Sequence, residues 1–347
     1  SVDPTFIDGT ELDPLDSLSE TLDHYDQPFL APNHFLHREM YSRASADGHR
    51  VVLDGFDGDR VISHGEGHLA DLAVELRPLA FLAELRGLKE HFGGSYRRIL
   101  LQDVGVPLAP EPLKRIWYAL TSADRTQRAD DVVDERFADR VGPLEPDGTD
   151  ETPPEVDPGS HATRIHHARL DTTLLASTLE LCDASAAAHG IEPRYPFFDR
   201  RLMEFCLSLP PDQKIDAGLT RVVLRRGLAD RLPAAVASRG DKANLGPNFD
   251  GALRKYGRDR FESAVDSSML RPFVDRDAVA TAGAELFDGS VVDPEKRGDP
   301  NGDPAVMVWK AVVAEAWLGP LSEADETPGP TDRPRTRTPR QEAIPHE

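Results

Sequence analysis

Cysteine is almost missing from this chain of 347 residues: Cys182 and Cys206 are the only two. Neither has metal-ligand spacing or a disulfide-dense setting, which excludes a disulfide-stapled module and a cysteine-ligated metal centre. Both thiols read as small core hydrophobes within buried helices, in a reducing compartment. Lysine is scarce as well, only seven of 40 basic residues against 61 acidic ones, for a net charge of -21. A surface of this kind lacks the basic footprint that phosphate recognition needs, so nucleic acid is not expected as a partner. It suits a halophilic setting, where hydrated carboxylates preserve solubility and ionic strength screens their repulsion. Also missing is any run approaching the ~20 apolar residues that cross a bilayer. The opening SVDPTFIDGTELDP has neither a basic n-region nor an apolar core, so the chain reads as cytoplasmic with no membrane partner. Ser1 in place of Met marks a chain that is processed, trimmed or cut from something longer.

What is present is helical periodicity with clear punctuation. A short helix is expected around Pro14 to Tyr25, and another over Phe35 to Ala46 stopped by Asp47-Gly48, followed by a strand from Arg50 to Leu53. Leucines at 69, 72, 76, 79, 82, 85 and 88 recur at three and four, a helical period that Pro78 kinks or divides and Gly93-Gly94 ends. Helix in pieces is expected from Ile99 to Phe137. Further helices are read from Leu170 to His189 before Gly190, from Asp199 as a cap through Leu209, from Thr220 as a cap through Leu232, and from Asp303-Pro304 to about Leu318. The organisation expected is a nucleotide-binding α/β part over 1-142, an acidic Pro/Gly-rich loop over 143-160, a helical remainder over 161-321 and a disordered tail over 322-347.

The most informative segment is RVVLDGFDGDRVISHG, from Arg50 to Gly65. A β-branched run feeds a turn holding Asp54, Gly55, Phe56, Asp57, Gly58 and Asp59, so three carboxylates and two glycines meet at a strand end. An open α/β sheet places its ligand at such ends. Mg²⁺ takes one or two carboxylates together with substrate phosphates, so the cluster suits a nucleotide-metal site. Taken alone, the loop reads equally well as an ordinary turn with solvated acids. His64 and the His166-His167 pair lack the spacing of metal ligands and read as structural or surface residues.

Two later segments narrow this. GIEPRYPFFDRRLMEF carries Arg194, Pro196, Phe197, Asp199, Arg201, Glu204 and Phe205; Thr220 to Phe249 carries Arg225, Pro233, Arg239 and Lys242, with Lys214 shortly before. With the Asp54 loop, they resemble the synthetase domain of the asparagine synthetase family, which includes β-lactam synthetase and the lasso-peptide macrolactam cyclases, over about Ser17 to Leu318. The lasso-cyclase-like branch is the most similar.

The resemblance implies a partial adenine-nucleotide α-hydrolase-like (PP-loop ATPase) parallel sheet with a predominantly helical remainder. It also implies ATP and Mg²⁺ as cofactors and carboxylate adenylation followed by attack of an amine or ammonia. Under it Asp59 is the Mg²⁺ aspartate, with help from Asp54 or Asp57. Gly55 and Gly58 let bare backbone approach the nucleotide, and Lys242 faces phosphate and the reacting carbonyl. Arg194, Pro196, Asp199, Arg201 and Arg239 form the structural motif, Asp199 first of all as a helix cap.

The family's S-G-G-x-D-S phosphate loop and its glutaminase domain do not occur in this sequence. Position 56 holds Phe where the family places Glu or Tyr, and Phe cannot accept or relay a proton. Three readings therefore stand: a ligase joining small-molecule or peptide carboxylates and amines; a non-catalytic homologue binding a nucleotide or protein; and one half of a split synthetase completed by an upstream polypeptide that bears the phosphate loop.

Overall fold

The computed structural model describes residues 4-110, 112-114, 132-141, 159-240, 245-288 and 303-326, the last six of these by backbone alone. Nearly all of the acidic 143-160 segment, Lys242 and the tail beyond Glu326 lie outside the described residues. What is described is mostly helical, with two small sheets. The first elements are helices α1 (Leu18–Tyr25) and α2 (His34–Ala46), strand β1 (Val51–Leu53), and helices α3 (Gly58–Ile62), α4 (His68–Val74) and α5 (Pro78–Phe92). Pro78 divides the leucine-periodic stretch as expected. Its ring disfavours helical geometry at Arg77 (φ -103°, ψ 72°), and Pro78 then opens α5 as its first residue.

Helix α6 (Tyr96–Leu100) runs on through a π turn, Leu101–Gly105, into α7 (Val106–Leu108). After α8 (Glu135–Val141) come α9 (His161–Leu170), α10 (Thr173–Ala188), β2 (Glu192–Arg194) and α11 (Arg200–Ser208). A hairpin of β3 (Ile215–Asp216) and β4 (Leu219–Thr220) leads to α12 (Val222–Gly227), α13 (Ala234–Ala237), α14 (Gly246–Tyr256), α15 (Arg258–Asp266), α16 (Arg276–Phe287) and α17 (Pro304–Glu326).

Three boundaries differ from the sequence reading. Leu170 ends α9 rather than starting the next helix, because Thr172 caps α10 by accepting the Leu175 N-H at 3.3 Å. Thr220 does not cap a helix: it pairs with Ile215 in the hairpin, Arg221 follows with a left-handed φ of 61°, and the helix stops at Gly227 instead of Leu232. The last helix continues past Leu318 to Glu326. Asp199 and Asp303 act as read: their carboxylates accept the Arg201 N-H at 2.9 Å and the Ala305 N-H at 3.0 Å.

Strand β2 is absent from the sequence reading. It pairs in parallel with β1, Val51 opposite Glu192, Val52 opposite Pro193 and Leu53 opposite Arg194. Proline withholds one ladder donor, so the pairing is short. The largest core joins Leu15, Leu18 and Phe35 to Phe249, Leu253 and α17, where Trp309 stands edge-on to Phe29 and Phe249 at 5.8 and 5.6 Å. Residues on both sides of the acidic segment thus share one apolar interior. No helix among the described residues is long and apolar enough to cross a membrane.

Helix α5 meets the β3-β4 hairpin backbone to backbone. A Cβ at Gly87 would overlap the Ala217 carbonyl, and one at Gly218 (φ +75°) would overlap the Gly87 backbone. The contact is sealed by Glu84, which is buried and accepts the Gly218 N-H at 3.0 Å. Gly87→Ala must therefore separate helix and hairpin, with an expected loss of about 2 kcal/mol by the usual cost of overpacking, measured as a lowered urea midpoint.

Candidate functional site

Strand β1 delivers the acidic loop, and β2 holds it. The Asp54 N-H extends the parallel ladder by donating to the Arg194 carbonyl at 2.8 Å. The Asp54 carboxylate turns inward: Oδ1 accepts the Phe56 N-H at 2.8 Å, and Oδ2 lies 3.5 Å from His37 Nδ1. Burial works to raise this carboxyl, but His37, the Phe56 amide and Tyr41 together hold it below the usual carboxylate range. Phe56 packs edge-on against His37 and Tyr195, with ring centroids 6.0 and 6.3 Å away.

Asp57 has a left-handed φ of 50°, which reverses the chain and starts α3. Its carboxylate pairs with Arg60 Nε at 2.7 Å, while Asp59 Oδ2 stands 3.5 Å from His64 Nε2. Gly58 is buried where a Cβ would overlap the Phe197 ring, and Gly55 faces open space. The bare position at 58 thus meets a protein neighbour, and that neighbour belongs to the Arg194–Asp199 element.

A polar cleft of about 70 Å³ opens here, lined by Asp57, Asp59, Arg60, His64, Glu66 and Arg169 among others. Asp54 does not line it. Among the described residues no group of three or more His, Cys, Asp or Glu could hold a metal ion by itself. One or two carboxylates beside two guanidinium groups do fit an Mg²⁺ ion that arrives with phosphate oxygens.

Beneath the loop lies a buried polar post. His166 Nε2 is 2.9 Å from the Val61 carbonyl, and its Nδ1 is 3.1 Å from the fully buried Lys214 ammonium. That geometry makes Nε2-H the donor and Nδ1 the acceptor. Burial, with the Lys214 charge adding to it, lowers His166 to about 4; burial lowers Lys214 to about 8. The buried Asp71 carboxylate from α4 accepts the His161 and Ala162 N-H groups at 2.7 and 3.1 Å, capping α9 from a distance. Burial also pushes the Cys182 thiol up to about 12, in keeping with an inert core cysteine.

The remaining motif residues lie around this frame, several of them in local contacts at the surface. Arg194 pairs with Glu192, and Pro196 opens a short 3-10 turn that presents Phe197 to Gly58. Asp199 is held down to about 2 by hydrogen bonds from Arg201. Arg225 donates to the Thr220, Val236 and Ala237 carbonyls at 2.7, 3.3 and 2.8 Å, so it clamps the segment that leads to exposed Arg239. A Cβ at Gly240 would overlap His91, so the chain two residues before Lys242 rests on the end of α5.

Sequence reasoning missed His37, Glu66, Asp71, Glu84 and Arg169, and left His64 and His166 among structural or surface residues. His166 is structural; His64 lies at the cleft. No local spacing marks His37, Glu66, Asp71, Glu84, Arg169 or His166, because their partners are distant in sequence.

The post makes stability depend on pH. His166 ordinarily titrates at 6.5, so between 6.5 and about 4 the unfolded chain binds a proton that the folded chain refuses. Its contribution is complete above 6.5 and is lost as pH falls through that window. Lys214 has the same sign between about 8 and 10.5, where stability rises with pH. His166→Gln can keep both hydrogen bonds without the titration. Unfolding free energies from urea titrations between pH 7 and pH 4 are expected to fall less steeply for the variant, by about 1 kcal/mol per pH unit.

The family model described as asparagine synthase matches residues 2–318. The chain is also similar to asparagine synthetase [glutamine-hydrolyzing] of Mus musculus, 34% identical over 93 residues, which is 25% of this chain and 17% of that protein. The Bos taurus protein of the same description is 43% identical over 49 residues, 14% of this chain and 9% of the relative. The chain thus aligns with less than a fifth of the length of these curated relatives. Since the family match spans both strands of the parallel sheet, the acidic loop and the Arg194–Asp199 element, the chain belongs to the asparagine synthase family.

Proposed function

We propose that this chain is the nucleotide-binding and amide-forming portion of an ATP-dependent ligase. The observation that carries the reading is the register of β1 on β2. Leu53 opposite Arg194 places the acidic loop and the Arg194–Asp199 element together at the C-terminal end of a parallel pair, beside the polar cleft. The small sheet is on this view part of an adenine-nucleotide α-hydrolase-like sheet.

A substrate carboxylate oxygen would attack the α-phosphorus of ATP and expel pyrophosphate. An amine nitrogen would then attack the acyl carbon, with AMP leaving and a proton lost from nitrogen. Asp59, with Asp57 beside it, is suited to Mg²⁺ that comes with the nucleotide, an ion that supplies charge neutralisation to the phosphates. Arg60 and Arg169 offer guanidinium groups to the same oxygens. Lys242, which the family resemblance sets facing phosphate, would supply a compact positive charge. Asp54 serves the loop from inside by fixing the Phe56 turn.

A second reading is favoured by Phe56, wedged between His37 and Tyr195 with nothing to give or take a proton, and by the absence of S-G-G-x-D-S from the sequence. Here the chain binds nucleotide or protein, or acts only with a second polypeptide that bears that loop. The exposed Val51 and Leu53 side chains on β1 leave apolar surface for such a partner.

Pyrophosphate release separates these readings. The chain is assayed with ATP, Mg²⁺, aspartate and either ammonium or a primary alkylamine, alone and with any polypeptide encoded immediately upstream that bears S-G-G-x-D-S. The ligase reading expects release in at least one mixture, and a drop of about 100-fold or more in both Asp59→Asn and Lys242→Ala, the scale of losing one transition-state charge contact. No release in any mixture, with ATP bound equally by wild type and Lys242→Ala, would leave the binding protein.

A further inference from the structure

Next to the polar cleft, and sharing His64, Glu66 and Arg169 with it, is a larger cavity of about 380 Å³. It lies among α4, α5, the π turn after α6 and the hairpin, within the size range of small-molecule sites. Its lining is mixed: Leu88, Phe92 and Ile99 are apolar, while Glu66, Glu84 and Asp103 bring three carboxylates against a single guanidinium, Arg169, whose Nε is already engaged by Glu66 at 2.5 Å. Asp103 sits on the π turn, a distortion that recurs at functional sites.

Two further observations point to a binding site. His68 and Thr220 line this cavity at 8% and 3% exposure, and His68 Nδ1 and Thr220 Oγ1 find no hydrogen-bond partner among the described residues. Burial raises Asp103, and the neighbouring Glu66 raises it further, in keeping with two carboxyls that face one another across this cavity.

We propose that this cavity binds the amine partner of the reaction: a primary ammonium held by Asp103 and Glu66, with a short apolar body lying along Leu88, Phe92 and Ile99. A carboxylate substrate would meet repulsion here, and ammonia would leave the apolar side chains of the lining unused. The cavity adjoins the cleft at His64, so a bound amine stands beside the nucleotide loop. Its role as a nucleophile rests on the ligase reading, whereas its binding does not.

The test is calorimetric titration of the full chain with hexylamine, hexanoate and hexanol, with no nucleotide present. Hexylamine is expected to bind, hexanol at least about tenfold more weakly, as for loss of one charge-assisted contact, and hexanoate not at all. Asp103→Asn, nearly isosteric, is expected to weaken hexylamine about tenfold. Leu88→Trp fills the cavity and should abolish binding; circular dichroism checks its folding, and Asp103→Asn decides if it fails to fold.

Hexanoate or hexanol binding as tightly as hexylamine, no binding of hexylamine, or an unchanged affinity in Asp103→Asn would each overturn the proposal. The two readings fail separately. Amine binding without pyrophosphate release under any condition keeps the cavity and removes the ligase, while release with ammonium and no hexylamine binding keeps the ligase and removes the amine site.

Discussion

The pairing of β1 with β2 is the constraint on which the rest of the site depends. Two strands of three residues carry little stability alone, and a parallel pair can close only after a long crossover. What holds them is the material on each side: α2 and α10 pack behind the strands, with Tyr41 and Ala186 fully buried beside Ile191 and Val52. The ladder then fixes chemistry as well as topology. Its last hydrogen bond, Asp54 N-H to the Arg194 carbonyl, sets where the loop leaves the sheet, and Phe197, three residues after Arg194, fills the space that Gly58 leaves.

Below the loop, support passes to groups that apolar packing alone does not explain. Lys214 is fully buried, and a buried ammonium is costly unless it has a partner. His166 accepts from it and donates to the Val61 carbonyl, so the residue that leads into β3 is tied to α3 through one imidazole. Asp71 ties α4 to α9, and Glu84 ties α5 to the hairpin. Each joins two elements through a buried polar contact with specific geometry. Such contacts add little net stability compared with well-packed hydrocarbon, but they tolerate few alternative arrangements. A cleft and a cavity bounded by these elements therefore keep a defined shape.

The parts of this that were legible in the sequence are the local ones. Asp199 and Asp303 announce their caps, Pro78 announces a division, and Gly93 takes the positive φ of a helix stop. The acidic loop was legible because six residues carry it. Strand β2 was not, because Glu-Pro-Arg has no β-branched residue and a proline where a ladder donor belongs; only β1 makes it a strand. Thr220 resembled a cap until Ile215 claimed it across the hairpin. The cavity could not be foreseen either. Glu66, Glu84 and Asp103 lie on three different elements, and their meeting is a property of the fold.

The loop itself is best understood as two half-turns with separate duties. Asp54 faces inward, where Oδ1 accepts the Phe56 N-H and Oδ2 stands 3.5 Å from His37 Nδ1, so its charge stabilises the bend. The left-handed residue Asp57 then reverses the chain, and Asp57 and Asp59 line the cleft with Arg60. Three carboxylates that look equivalent in sequence thus fall on opposite sides of one backbone reversal. A residue between them with a reactive side chain would face neither side freely, because the inward ring of Phe56 is enclosed by His37 and Tyr195. The aromatic at position 56 is therefore explained by packing: it closes the inner half-turn and keeps the Asp54 carboxylate away from the cleft that Asp59 occupies.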